Sequence, residues 1–361
     1  MIHFKEDIED AKKRVELWWD NERTDRALIQ VPAPRDNPVF SLPAEEAPTI
    51  HDFWINPDYV IPRIINTLSK TWYGGESFPV LYPVAGRIVS ITCKYLGAPN
   101  IYIDKETTWS QPIINDWESC PELKIDPENT WWKLSQNLLQ ECAEAIRKYD
   151  LECYMGIPDL NGPTEVLSGL RNPEKLCIDL IMEPDRVKTA AQKVQDAWYK
   201  SWEGTSSVAN QFGGYFTWMG IWSGEKAIDL QSDFSTLISP KMFGEFVVPL
   251  LEEQIELFPR TIFHLDGPDM VRHLDQLLDL PGLNAIQWIP GAGGGRTSEW
   301  MDLLHRIQDG GKSLYVYCDP DEVEFLVKTL DSRGLMMVVN GCESEEQARG
   351  LISLVERFSG K

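Results

Sequence analysis

The chain has 361 residues, 43% hydrophobic and 25% charged, with 14 tryptophans and a formal net charge of −22. That charge excludes a nucleic-acid partner, which needs basic patches that release counterions, and an anionic membrane surface. No apolar run approaches the roughly 20 residues that cross a bilayer, and seven scattered cysteines without a CxxC pair do not make a disulfide framework. A cytoplasmic enzyme acting on a small molecule is the expected setting.

The first stretch, "MIHFKEDIEDAKKRVELWWDNE", reads as a charged amphipathic helix rather than a signal peptide. An apolar run follows at 27–34. The proline-rich segment 31–48 is too long and too poorly patterned for a core element, so it is expected to pack over or beside the mouth of the fold as a lid. A helix near 58–69, an apolar stretch at 78–91, "NIYI" at 100–103 and a tryptophan-rich loop at 107–132 lead into the helix "WWKLSQNLLQECAEAIRKY".

From residue 153 onward, strand-type runs alternate with helical patterns, the mark of parallel βα units. The runs are 153–157, 227–231, 261–265, 284–288, 314–318 and 335–339. Helical patterns fit 164–171, 184–204, 240–257, 267–279, 297–309, 320–330 and 343–358. The expected fold is α/β, a (β/α)8 TIM barrel with an N-terminal helical and loop extension. It forms one domain over 1–361, with 1–75 as extension and lid and 76–361 as barrel.

Active sites of such barrels lie at the C-terminal ends of strands, and polar residues cluster there. His264 and Asp266 end one run on a shared face. They hold an ion, proton or substrate together, or His264 is an oriented core histidine and Asp266 starts a turn. Asp159 and Asn161 follow 153–157 as candidate substrate ligands. Asp233 follows 227–231, either as a general base or substrate-orienting group or as a turn cap. Trp288 ends another run, Cys318 and Asp319 the next, and Cys342 and Glu343 follow the last. The run "GGYFTWMGIW" sets Tyr215, Trp218 and Trp222 beside glycines, as core packing or, with Trp288, as the wall of a pocket for a methylated or aromatic substrate. "GAGGG" at 291–295 lacks a nucleotide-phosphate pattern and reads as a loop near the mouth, with Arg296 reaching an anionic group.

The segments 233–254, "HLDGPDMVRHLDQLLDLPGLNAIQW" at 264–288, "GCESEEQARGLISLV" at 341–355 and "DLNGPTEVLSGLRNPEKLCIDLIMEPDRVK" at 159–188 resemble the uroporphyrinogen decarboxylase superfamily. That superfamily includes decarboxylases and zinc- or corrinoid-linked methyltransferases. The arginine-bearing segment of true uroporphyrinogen decarboxylases is missing. "VAGRIVS" keeps only Arg87, in a different setting, and an acidic chain is a poor host for a polyanionic tetrapyrrole. The resemblance therefore points to the methyltransferase branch, whose zinc sites carry a His-x-Cys pair and a later Cys. Here His264, Asp266 and Cys342 stand at those positions, with Glu343 as an extra ligand or hydrogen-bond acceptor. The expected function is a metal-dependent methyltransferase acting on a small methylated substrate, with zinc in the site and a corrinoid carried by a separate partner protein. The alternative is a metal-independent decarboxylase of a small organic acid in which Asp233 and His264 handle protons.

Overall fold

The computed structural model describes residues 1–83, 91–102, 105 and 108–359; Arg87 lies outside them. Nine strands matter for the site: β1 (Leu28–Pro34), β2 (Thr71–Gly75), β3 (Val80–Leu81), β4 (Tyr154–Met155), β5 (Ala227–Gln231), β6 (Arg260–Asp266), β7 (Ala285–Ile289), β8 (Ser313–Cys318) and β9 (Leu335–Val339). Seven form one sheet in the order β5-β6-β7-β8-β9-β1-β2. It is parallel throughout except where β2 runs antiparallel to β1, and β3 and β4 form a separate parallel pair. The fold is thus α/β with a mostly parallel sheet. Among the described residues no ladder joins β2 to β3 or β4 to β5.

The helices that place the site are α1 (Ile8–Trp19), α2 (Pro57–Ser69), α3 (Thr130–Lys148), α4 (Pro163–Arg171), α5 (Pro184–Ala209) and α6 (Glu345–Ser359). Each of α2, α4 and α5 opens on a proline in its first turn, where a missing N–H costs nothing. A further helix, Pro173–Met182, and the strand β2 are additions to the elements read from sequence.

Strand periodicity divides the sheet into two faces. Ile228, Leu230, Phe263, Leu265, Ile286, Trp288, Val316 and Cys318 pack outward into the main core with the helices. Each such side chain contributes roughly 1.5–3 kcal/mol by leaving water. The inner face begins with an apolar layer of Leu28, Ala227, Ile262, Ala285, Tyr315 and Met336, packed with Trp18 and Trp19 of α1.

Helix α1 lies across the N-terminal ends of the strands. Ser313 Oγ donates to the Trp18 carbonyl at 2.6 Å, Trp19 Nε1 to the Trp222 carbonyl at 2.9 Å, and Arg260 pairs with Glu16 and Asp20. Residues of the proline-rich segment beyond β1 run along α2. Val39 N donates to Ser69 O at 3.2 Å, Leu42 exchanges hydrogen bonds with the Asn66 side chain, and Phe40 meets Tyr149. Their contacts are with α2 and the end of α3.

A buried ion pair ties β1 to the turn after β2. Arg26 Nη2 lies 2.8 Å from Glu76 Oε1, both side chains are nearly inaccessible, and Glu76 also accepts from Ile29 N at 2.8 Å. Removing one partner leaves a buried, uncompensated charge. Glu76→Ala should therefore lose about 3–5 kcal/mol of stability, read by urea unfolding; a loss below about 1 kcal/mol would show that the pair does not hold this corner together.

Candidate functional site

Above the apolar layer the inner face turns polar, with Asp229 and Gln231 on β5, His264 and Asp266 on β6, and Gln287 on β7. The register pairs Gln231 with His264 and His264 with Gln287, so three neighbouring strands bring these side chains to one level. The His264 ring donates from Nδ1 to Gln287 Oε1. That contact leaves Nε2 as the nitrogen with a free lone pair. Nε2 faces Asp266 Oδ2 at 3.9 Å, too far for a hydrogen bond. The edge of Trp218 closes the other side of the ring, with centroids 5.4 Å apart.

Asp233, just past the end of β5, completes the group. One ligand atom from each of Asp233, His264 and Asp266 lies within 4.8 Å of the others. Asp233 Oδ1 and Asp266 Oδ1 are buried and lack a hydrogen-bond partner. Buried polar atoms are nearly always paired, so two orphaned acceptors beside an imidazole lone pair fit a cation better than they fit each other.

The loop after β4 supplies a second carboxyl pair. Gly162 sits against Gln231 O so closely that a Cβ would lie 1.8 Å from it, and only glycine permits that approach. The approach lets α4 start beside β5 and delivers Glu165, in its first turn, to Asp233. Burial and the charges of Asp233 and Asp159 raise the Glu165 carboxyl well above its ordinary range. Burial also raises Asp233; the charge of His264 and a hydrogen bond from Glu165 oppose this. Glu165 therefore carries the proton and donates it to Asp233. Asp159 accepts from Gln231 Nε2 at 2.6 Å and from Asn161 N at 2.8 Å, and burial raises its carboxyl too. On the level below, burial pushes Asp229 far above the carboxylate range, against a hydrogen bond from Trp218 N at 2.9 Å.

Asp233, His264, Asp266, Asp159, Asn161 and Trp218 thus gather around one space. The other candidates lie elsewhere. Cys342 is not in the ligand group; its thiol donates to Ser344 O at 3.5 Å and to Gln347 Oε1 at 3.6 Å at the start of α6, and burial raises its pKa. A thiol so held stays protonated, whereas a metal takes the thiolate. The exposed Glu343 sits beside it, its backbone N donating to Gln347 Oε1 at 2.8 Å. Trp288 was expected in the pocket wall, but period two turns it away when Gln287 faces inward, and it packs against Trp300 at 4.8 Å. Tyr215 stacks on Trp202 at 5.8 Å, so Trp218 alone of its run reaches His264. Arg296 is engaged by Asp321 at 2.5 Å, with Asp319 and Glu322 beside it. Of the glycine cluster, Gly291 approaches Asp266 Oδ1, a Cβ there falling 3.3 Å from it.

Glu165, Asp229 and Gln287 went unnoticed in the sequence. Asp229 and Gln287 do carry a signal, a polar residue in mid-run of "AIDLQ" and "NAIQW". Glu165 carries none, since an acidic residue in a first helical turn is ordinary.

No family model matches the chain, and no curated protein matches it. Among solved structures it is similar to a methyltransferase from Methanosarcina mazei, with a TM-score of 0.59 and 14% identity over 96% of this chain and 98% of that one. At that identity the likeness shows a shared fold. A methylaspartate ammonia lyase from Citrobacter amalonaticus, containing (2S,3S)-3-methylaspartic acid, overlaps with a TM-score of only 0.31 at 11% identity, over 78% of this chain and 58% of that one, too weak to imply common architecture.

The proton on Asp229 has a thermodynamic signature. An unfolded aspartate ionises near pH 3.9, while the folded carboxyl holds its proton far higher. Stability attached to this group is therefore lost as pH rises above about 4. Asp229→Asn removes that cost, so the variant should melt above wild type at pH 8, with the gap closing toward pH 4. A gap that widens on acidification would mean that Asp229 is ionised in the folded chain.

Proposed function

We propose that the protein is a metal-dependent methyltransferase of the uroporphyrinogen decarboxylase-like type, with the ion held by Asp233, His264 and Asp266. The observation that carries this reading is the convergence of three ligand atoms within 4.8 Å at the C-terminal ends of β5 and β6. The fold shared with a methyltransferase over nearly the whole of both chains supports it. Pairs β3 and β4 would complete the seven-stranded sheet into a (β/α)8 barrel, with residues 1–75 as its extension. A small methylated substrate would enter at the strand ends, and a separate corrinoid protein would exchange the methyl group.

The donors suit a divalent cation. Two carboxylates and an imidazole neutralise its charge, and zinc accepts such a set, although oxygen donors make the site harder than thiolates would. A bound divalent ion supplies Lewis-acid polarisation of a substrate oxygen or thiol. The rest is done by the chain's own groups. Gln287 fixes the His264 tautomer and keeps Nε2 turned to the site. Trp218 shields the imidazole from solvent, and Glu165 keeps a proton at Asp233 that is available when a substrate atom gains negative charge.

That shared proton also favours a second reading, a metal-independent decarboxylase in which Asp233 and His264 protonate the product. The chamber weighs against it, because a substrate carboxylate would meet Asp159, Glu165, Asp229, Asp233 and Asp266 with His264 as counter-charge.

Elemental analysis of purified protein should find about one divalent ion per chain, lost in His264→Ala and in Asp266→Asn. Gln287→Leu, which frees the imidazole, should weaken binding about 10–100-fold, whereas Cys342→Ser should retain the metal. Methyl exchange with free methylcobalamin, followed by corrinoid absorbance, should fall with the same residues. Metal-free wild type that releases carbon dioxide from a small acid would transfer the case to the decarboxylase.

A further inference from the structure

One level below the ion site the inner face holds a second polar centre that the metal does not use. Asp229 is 6% exposed. Its Oδ2 accepts from Trp218 N at 2.9 Å, and its Oδ1 is buried without a partner. Tyr82 Oη donates to Thr217 O at 2.6 Å and Tyr315 Oη to Met219 O at 2.8 Å, the residues on either side of Trp218, and the Tyr317 ring lies against that of Tyr315 with centroids 5.7 Å apart, so three phenol rings gather at this level in addition to Trp218. Trp218, Tyr82 and Tyr317 each keep partial exposure. Gln287 Nε2, fully buried on the next level, also lacks a partner.

Carboxylate oxygens recognise cations. Among the described residues no lysine or arginine is ion-paired with Asp159, Glu165, Asp229, Asp233 or Asp266; the pair they make is His264 with Asp266. One divalent ion among Asp233, His264 and Asp266 leaves Asp229 uncompensated. Aromatic faces beside a buried carboxylate favour a cation that is bulky and weakly hydrated. Such a cation displaces the proton that burial otherwise keeps on the carboxyl, and that proton passes to solvent.

We propose that Asp229, Trp218, Tyr82 and Tyr317 form a subsite for a methylated ammonium group, making the substrate a small organic cation. The assignment takes from the methyltransferase reading only that this chamber is the substrate site. Spacing adds a length. Asp229 precedes Gln231, the register partner of His264, by two residues, so the subsite lies about 7 Å below the histidine along the strands. A short carbon spacer between the ammonium head and an oxygen or sulfur at the ion site spans that distance.

The test is calorimetric titration of choline and of its neutral tert-butyl analogue into the wild-type protein and into Asp229→Asn and Trp218→Leu, each with metal bound and after chelation. Choline should bind at least about tenfold tighter than the neutral analogue. Asp229→Asn should lose about tenfold or more in choline affinity while retaining its metal. Trp218→Leu should lose more affinity for choline than for the neutral analogue. Equal binding of the two probes, undiminished binding by Asp229→Asn, or no choline binding by metal-loaded wild type overturns the subsite. The probe pair on wild type decides the matter even if a variant misfolds. Choline discrimination by a protein that takes up no divalent metal when one is supplied supports the subsite and sinks the ion-site reading, so the two fail separately.

Discussion

The arrangement of the interior follows from gathering five carboxyl groups, most of them withdrawn from water, opposite a single imidazole. Unpaired buried charge is among the costliest things a fold can hold, and the five are managed in several ways. Glu165 keeps a proton and lends it to Asp233. Asp159 is satisfied by an amide and a backbone N–H. Asp229 stays protonated against Trp218 N. Asp266 and Asp233 face His264 with an oxygen each unsatisfied. The position of α4, the contact of Gly162 with Gln231 and the fixed tautomer of His264 all serve this one accommodation.

Most of the framework was legible because its signal is local. The runs at 227–231 and 335–339 match β5 and β9 residue for residue; in "LMMVV" the continuous apolar run is what a strand covered on both faces requires, and in "AIDLQ" the apolar residues facing the helices carry the signal. Strand β2 was missed because "TWYGG" ends in glycines that lower strand propensity; its antiparallel pairing with β1, a tertiary fact, holds it in place. The His264 and Asp266 pairing was visible as two residues on one face. Trp288 was misplaced by a parity that needs the partner strand: once Gln287 meets His264, its neighbour must face the helices.

The candidate ligand group shows a different limit. Cys342 was assigned by resemblance, position against position, whereas Asp233 was a residue of two equal readings. The geometry gathers Asp233 and leaves the thiol on the backbone of the loop before α6. A carboxylate just past the edge strand β5 thus stands where the resemblance put a sulfur from the loop after β9. Folds tolerate such exchanges, since the shared architecture at 14% identity fixes where strand ends converge and leaves the chemistry to the side chains placed there.

Helix α1 has a kinetic meaning besides its packing. Through Arg260, Asn284 and Ser313 it covers the N-terminal ends of β6, β7 and β8, which leaves the C-terminal side as the approach to the polar part of the inner face. On the proposed reading, a small substrate and a partner protein would share that one approach, and a helix that touches none of the site residues would set the order of their exchange.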